Sequence, residues 1–363
     1  MNISTTWKSF RSFVTEVSLH LLYNIKSKYL FANPLSSTGS GVSPFLPVTT
    51  LSSQLARLGH AICFCLRLPL LLFYAGVYFL FLQYIPLPVV IRKLLLWIFL
   101  AIPAVWWVDV QLDGVRRGLL SQQPRTRVPH PGSVIAASFS SPLDALYLAA
   151  VFNPIFVASH PRSRKVRRIS LLKAVCYALS ADFQLADSIE SQPGGSRGLT
   201  DLRALLSRYP NRIIVVFPES GTTNGRGVLP LSPCLLTTPA ENAIFPISLR
   251  YTPPDVTTPV PGFRAWIRFL WNLLGRPTHC VRVRIAEPIY NTSRATNGGD
   301  WVNVPPPRAQ QQQQQEGDGG PGNREEQALL DNVAEALARL GRAHRVNLTL
   351  RDKKAFVNVW VKR

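Results

Sequence analysis

Three groups able to move or steer a proton stand just past apolar stretches of this sequence. They are Asp144 after "SVIAASFSS", His160 after "PIFVAS" and Glu219 after "RIIVVFP". In α/β sheets the carboxyl ends of the strands are where ligands bind, because the chain opens there into loops. An imidazole titrates near neutrality and is the commonest general base. An ordinary carboxylate, near pKa ~3.9, is a poor base for an alcohol. Asp144 carries a second reading, since with Ser141 it forms an S-x-x-D pattern that caps a helix N-terminus. Glu219 opens "ESGTTNGRG", whose glycines, backbone N–H groups and Arg226 guanidinium can wrap a phosphate. The stretch is not a P-loop, because the G-x-x-x-x-G-K-[ST] spacing and its lysine are absent.

These groups need a scaffold, and the pattern after Val110 supplies one. "SVIAAS" (133–138), "PIFVAS" (154–159), "RIIVVF" (212–217), "AIFPISLRY" (243–251) and "CVRVRIAEPI" (280–289) read as strands. "SPLDALYLAAVF" (141–152), "ISLLKAVCYAL" (169–179) and "LTDLRALLSRY" (199–209) read as helices, the first with Ser141 as N-cap and Pro142 at N1. Strands interleaved with helices predict an α/β fold with a mixed, largely parallel sheet flanked by helices. The expected organisation is a polar, partly disordered segment over 1–60, an apolar anchor over 61–109 and the α/β domain over 110–303. A low-complexity loop (304–323, "VPPPRAQQQQQQEGDGGPGN") and a C-terminal helix and tail (324–363) follow.

Lys and Arg number 40 against 20 Asp and Glu, a net charge of +20 that favours polyanionic partners: nucleic acid, anionic membrane or phosphorylated substrates. Nucleic acid is set aside, because no reading motif is present and it leaves the apolar segment unexplained. From Leu68 to Ile91 the chain runs 24 residues without a charge. As a helix that is about 36 Å, against a hydrocarbon core of about 30 Å. A second apolar run carrying Trp97, Trp106 and Trp107 follows Arg92 and Lys93, residue types that favour membrane interfaces. The sequence therefore predicts an N-terminal membrane-embedded helical segment, either a hairpin with Arg92 and Lys93 at its tip or one span plus an interfacial piece. An anionic membrane surface is the expected partner of the basic run Arg162, Arg164, Lys165, Arg167 and Arg168. "GFRAWIRFLWNLLGR" (262–276) suits either a core helix or one lying in the interface. The five cysteines, at 63, 65, 176, 234 and 280, form neither a zinc set nor a disulfide framework. No metal site is expected, and nothing in the sequence fixes an oligomeric state.

"VVFPESGTTNGRGVL" resembles the F-P-E-G-T block of the glycerol-phosphate and lysophospholipid acyltransferases. "IFPISLRYTP" is similar to that family's later V-P-V block. "SFSSPLDALYLA" stands where the family keeps its H-x-x-x-x-D box, with Asp144 lying 75 residues before Glu219. With "WVDVQLDGVRRG" and "RDKKAFVNVWV", the chain most resembles the fungal lysophosphatidic acid acyltransferases of endoplasmic reticulum and lipid droplets. The resemblance implies transfer of an acyl chain from acyl-CoA, a co-substrate, to a lysophospholipid hydroxyl, with no bound cofactor and the domain facing the cytosol. It also implies that Asp144 orients a base and that Glu219, Gly221, Thr222 and Arg226 hold the acceptor's phosphate. Phe139, Ser140, Ser141 and Thr223 fall in the same substrate-binding blocks, and Pro246 in the acyl-CoA block.

One position departs from the family. Five residues before Asp144, in place of the histidine, stands Phe139, which can take no proton. Loss of a general base costs ~10²–10⁴ in rate, yet positioning alone supplies several kcal/mol, so turnover can survive. His160 is the candidate surrogate. His130 begins the strand whose far end carries Phe139, roughly 25–30 Å away. The family's middle-block arginine is also missing from 173–187. The alternative function is a catalytically silent relative that binds lipid or recruits partners.

Overall fold

The computed structural model describes residues 43–50, 53–115, 124–161, 163–180, 198–292 and 321–361. Most of the polar N-terminal segment, residues 304–320 of the low-complexity loop, Arg162 and residues 181–187 of the middle block lie outside them. The strands are β1 (Val105–Leu112), β2 (Val134–Ala137), β3 (Ile155–His160), β4 (Ser163–Ile169), β5 (Leu199–Thr200), β6 (Ile214–Val216), β7 (Gly227–Val228), β8 (Ile244–Thr252), β9 (His279–Ile285) and β10 (His344–Arg345). Among the described residues, eight of them form one sheet in the order β1-β9-β8-β2-β6-β3-β4-β5, and β7 pairs with β10. Four of its seven pairings are parallel, giving the mixed, mostly parallel sheet flanked by helices that the pattern predicts.

β2 and β6 sit at the centre and are buried on both faces, which their continuous apolar runs allow. One face carries α3 (Pro142–Phe152), α4 (Leu171–Leu179) and α6 (Phe263–Gly275), packed on Ile135, Phe245, Ile247, Leu249 and Tyr251. The other carries α5 (Leu202–Arg208) and α7 (Pro321–Gly341), packed on Val134, Ala136, Ile214, Val216 and Ile244. The alternation of β8 between these two cores is the period of two that a pleated strand imposes. α3 has the expected N-terminus: Ser141 is its N-cap, Pro142 its first residue, and Asp144 closes a capping box.

Two strands lie where the sequence pattern suggests other structure. β1 begins at Val105, so the Trp106–Trp107 pair belongs to an edge strand parallel to β9 rather than to a membrane helix. "SRKVRRI" forms β4, antiparallel to β3, with Val166 and Ile169 buried, Lys165, Arg167 and Arg168 exposed, and Arg164 paired with Glu326 of α7 at 2.8 Å.

The apolar segment folds as α1 (Gln54–Val77), which continues with π geometry through Tyr78–Leu82, and α2 (Val89–Ala101). The bend falls at 83–88, where Pro86 and Pro88 forbid helix continuation, and not at Arg92 and Lys93, which lie in the first turns of α2. Gln54–Leu82 is long and apolar enough to cross a membrane, and an 18-residue stretch of it has a mean hydropathy of 1.9 with 11% buried. Leu58, Ile62, Leu66, Leu70 and Phe73 make one exposed stripe along it. At its middle, Arg67 donates through Nη1 to the carbonyls of Leu274 (3.3 Å) and Arg276 (2.5 Å) and through Nη2 to Pro277 (3.2 Å). The guanidinium therefore satisfies carbonyls at the end of α6 and pins α1 to the domain.

Candidate active site

At the carboxyl end of β2 the chain turns through Phe139, Ser140 and Ser141 into α3, and Asp144 points back into that turn. Its Oδ2 accepts from Ser140 N (2.6 Å), Ser141 N (2.8 Å) and Ser140 Oγ (3.2 Å), while Tyr251 of β8 donates its hydroxyl to Oδ1. Burial pushes this carboxyl up to about 6, and the four donors hold it from going further. The two readings of Asp144 are thus one arrangement, since the capping carboxylate is also the buried, activated one. Tyr251, in turn, is held well above its usual value by burial and by the neighbouring Asp144 charge.

Glu219 follows the neighbouring central strand, β6, by three residues and is 3% exposed. Its Oε2 accepts from Leu229 N at 3.1 Å, and the Phe139 backbone N–H donates to the same carboxyl. Burial pushes it up to about 8; Asp144 adds to the rise, while the two amides and Lys353 oppose it. Lys353 comes from α8 (Leu350–Val361), at the far end of the chain. Its buried Nζ donates to Thr222 O (2.6 Å) and Thr222 Oγ1 (2.9 Å), and burial pushes it down to about 7 against the pull of Glu219. Thr222 Oγ1 passes its own proton to Thr258 O (2.8 Å). Phe139 links the two halves, because its carbonyl accepts from Thr223 N (3.0 Å).

The loop after Glu219 is braced by the protein itself. Ser220 N, Thr223 N and Asn224 N donate to the carbonyls of Phe217, Phe139 and Pro44. Gly225 N and Arg226 N donate to the side chains of Thr223 and Asn224. An amide cradle of the kind the sequence suggests is therefore corrected at these positions, because their N–H groups already have acceptors. Arg226 is exposed at the end of this loop. Gly221 is fixed by close approach: a Cβ there would collide with the Leu350 side chain of α8. Gly221→Ala should accordingly cost roughly 1–3 kcal/mol of stability, read as a lowered midpoint of chemical unfolding. An unchanged midpoint would mean that α8 does not press on the loop.

Phe139 has left the polar part of the site. Its ring stacks on Phe217 at 4.3 Å and joins the core beneath the sheet end. His160 ends β3, two strands from β2 and so roughly 10 Å from the Phe139 strand. Its carbonyl accepts from Ser232 Oγ (2.5 Å), and the β3 group that reaches the loop is Ser159, whose Oγ bonds Phe217 O (2.7 Å) and Ser220 Oγ (2.8 Å). Pro246 lies inside β8 opposite Ala136, with its carbonyl accepting from Ala286 N. The structure thus gathers Ser140, Ser141, Asp144, Glu219, Gly221, Thr222 and Thr223 at one sheet end and adds Tyr251 and Lys353. A lysine at i+3 from Leu350 and i−4 from Val357, on the inward side of a C-terminal amphipathic pattern, was the available signal for Lys353.

Over 160 residues the chain is 30% identical to a protein of Schizosaccharomyces pombe (strain 972 / ATCC 24843) named "Putative lysophosphatidic acid:oleoyl-CoA acyltransferase". The chain resembles the fungal lysophosphatidic acid acyltransferases. The match takes in 44% of this chain, which spans half the length of that relative. No family model and no solved structure matches the chain. Set beside these acyltransferases, the Asp144 box and the Glu219 loop sit together as the resemblance implies, and the histidine position holds a core phenylalanine.

Proposed function

We propose that this protein is a membrane-bound acyltransferase that moves an acyl chain from acyl-CoA to the free hydroxyl of a lysophospholipid, lysophosphatidic acid, giving phosphatidic acid. The observation that carries the reading is Asp144, fully buried among four donors and raised to about 6, where a carboxylate is a far better base than in water. In this reading the acceptor hydroxyl attacks the thioester carbonyl carbon, the new C–O bond forms and the C–S bond breaks. Ser140 Oγ passes the hydroxyl proton to Asp144, which returns it to the leaving thiolate of CoA. Tyr251 stabilises the carboxylate, and Lys353 holds the loop through Thr222. Arg226 meets the acceptor's phosphate. His160, at the end of β3 two strands from β2, is the surrogate base to test.

Membrane binding is supported by the exposed apolar stripe of α1, by Val89 and Val90 of α2, by Trp106 and Trp107, and by Phe263 and Ile267 of α6. In this reading α1 and α2 form a helical hairpin set into the membrane, with Arg67 tying α1 to the end of α6. Such an anchor fits both the endoplasmic reticulum bilayer and the monolayer of a lipid droplet, with the domain on the cytosolic side. An apolar cleft of about 360 Å³ between the end of α4 and α6, lined by Leu179, Trp266 and Leu270, lies on this side for the acyl chain.

The test is transfer of labelled oleate from oleoyl-CoA to lysophosphatidic acid by the full chain in lipid nanodiscs, with Phe139→His and His160→Ala beside it. Labelled phosphatidic acid from the native protein is expected, with little change in His160→Ala. A second reading, a catalytically silent lipid-binding relative, is favoured by the stacking of Phe139 on Phe217. A silent native protein that gains activity as Phe139→His would put that reading first.

A further inference from the structure

Five arginines converge on the sheet face away from α1 and α2, where α7 ends. They are Arg250 of β8, Arg282 and Arg284 of β9, Arg342 just past α7, and Arg226 of the loop that follows Glu219. The strand register builds the group: Arg250 and Arg282 are direct partners across the antiparallel pair, and Arg284 lies one step along, opposite Ser248. Like charges placed opposite one another oppose folding. Burial, then the charges of Arg284, Arg342, Arg282 and Arg226, hold the Arg250 guanidinium below its ordinary value. The acidic neighbour on this row is Asp109, level with Arg282 in the parallel β1–β9 pair. Arg284 Nη1 also donates to the Leu340 carbonyl (3.1 Å) at the end of α7. The strand register thus sets three arginines on one face, with the charges of Arg342 and Arg226 close enough to act on Arg250.

We propose that Arg250, Arg282, Arg284 and Arg342 bind the phosphates at the nucleotide end of acyl-CoA, with Arg226 at the border of the cluster left to the acceptor's phosphate. The proposal rests on acyl-CoA being the donor substrate. Phosphate oxygens match the planar fork of arginine, and several phosphates on one small molecule match several arginines on one face. Arg226 ties the cluster to the Glu219 loop, and His344 N donates to the Arg226 carbonyl (3.1 Å), so the loop and the segment after α7 move as one. A lipid headgroup offers the same phosphate chemistry. The nucleotide is the better match because the β8 and β9 arginines lie on the sheet face that carries α7, across from the face on which the membrane-directed helices pack.

The experiment is calorimetric titration of the full chain, in nanodiscs of neutral phosphatidylcholine, with CoA and with adenosine 3′,5′-bisphosphate. Arg282→Gln/Arg342→Gln removes two exposed members of the cluster outside both cores. Native protein should bind both ligands, more weakly as ionic strength rises, and the double variant should bind both about 10–100-fold more weakly. Its KM for oleoyl-CoA should rise by a similar factor while kcat stays within about threefold, and its thermal midpoint should not fall. Unchanged CoA affinity in the variant overturns the proposal. So does an unchanged CoA affinity with lost binding to phosphatidic acid vesicles, which assigns the cluster to headgroups. Arginine-dependent CoA binding without acyl transfer upholds the site while the reaction reading fails; acyl transfer with an unmoved KM does the reverse.

Discussion

Asp144→Asn lowers kcat for oleoyl transfer by roughly 10²–10⁴-fold and leaves the KM for acyl-CoA near the native value. The asparagine keeps the shape of the carboxylate but takes no proton, and its amide nitrogen meets donors where an oxygen stood. Either Ser140 N and Ser141 N or the Tyr251 hydroxyl then faces an N–H group. That mismatch also weakens the α3 cap, at about 0.5–2 kcal/mol, so unfolding must be measured beside the rate. A rate loss much larger than any loss of folded protein assigns the effect to chemistry. Proportionate losses would make Asp144 a helix cap alone. Linkage gives a second readout. The folded-state pKa lies above 3.8, so this group's contribution to stability is fully present below that value and is lost as pH rises through about 6. In Asp144→Asn that downward slope should vanish.

Lys353→Met costs roughly 1–3 kcal/mol, because it removes the donor that satisfies the buried Thr222 carbonyl. Against a typical total of ~5–15 kcal/mol this is a substantial fraction. The Thr222 carbonyl loses its 2.6 Å donor, and Glu219 loses the positive charge that opposes its rise. The midpoint of chemical unfolding should drop, and amide exchange over 219–224 should speed up before the rest of the sheet. A small effect, with exchange in the loop unchanged, would mean that α8 is a passive tail. Glu219 adds a pH signature. Its pKa is raised from 4.5 to about 8, so its contribution is present below pH 4.5 and falls away as pH climbs through about 8. Lys353, lowered from 10.5 to about 7, works in the opposite sense. Between those values the unfolded chain holds a proton that the folded one has released, and stability rises with pH. The stability of native protein relative to Glu219→Gln should therefore be flat below pH 4.5 and fall as pH rises from there to about 8.

The central strands and α3 were legible because their signals are local. Continuous apolar runs mark β2 and β6, and Ser141, Pro142 and Asp144 mark the start of α3 within four residues. The meeting of Asp144 with the Glu219 loop was legible too, since both follow strands that end on one side of the sheet. What failed to show depends on distant partners. β1 reads as membrane because an edge strand rich in tryptophan and a membrane-interface segment present the same residues, and only its register with β9 separates them. β4 hides because its arginines leave two inward positions in seven. Tyr251 and Lys353 reach the site across 107 and 131 residues of chain, separations that no local pattern encodes. The loop's braced amides belong to the same class, since the Asn224 acceptor is Pro44.

The pH dependence of oleoyl transfer to lysophosphatidic acid, by the native chain and by Asp144→Asn in the same nanodiscs, tests the assignment of the base. A base at Asp144 predicts that kcat/KM climbs with a single midpoint near the raised carboxyl value of about 6, and that the climb is absent from the variant. No product at any pH, or the same climb surviving in Asp144→Asn, would contradict it.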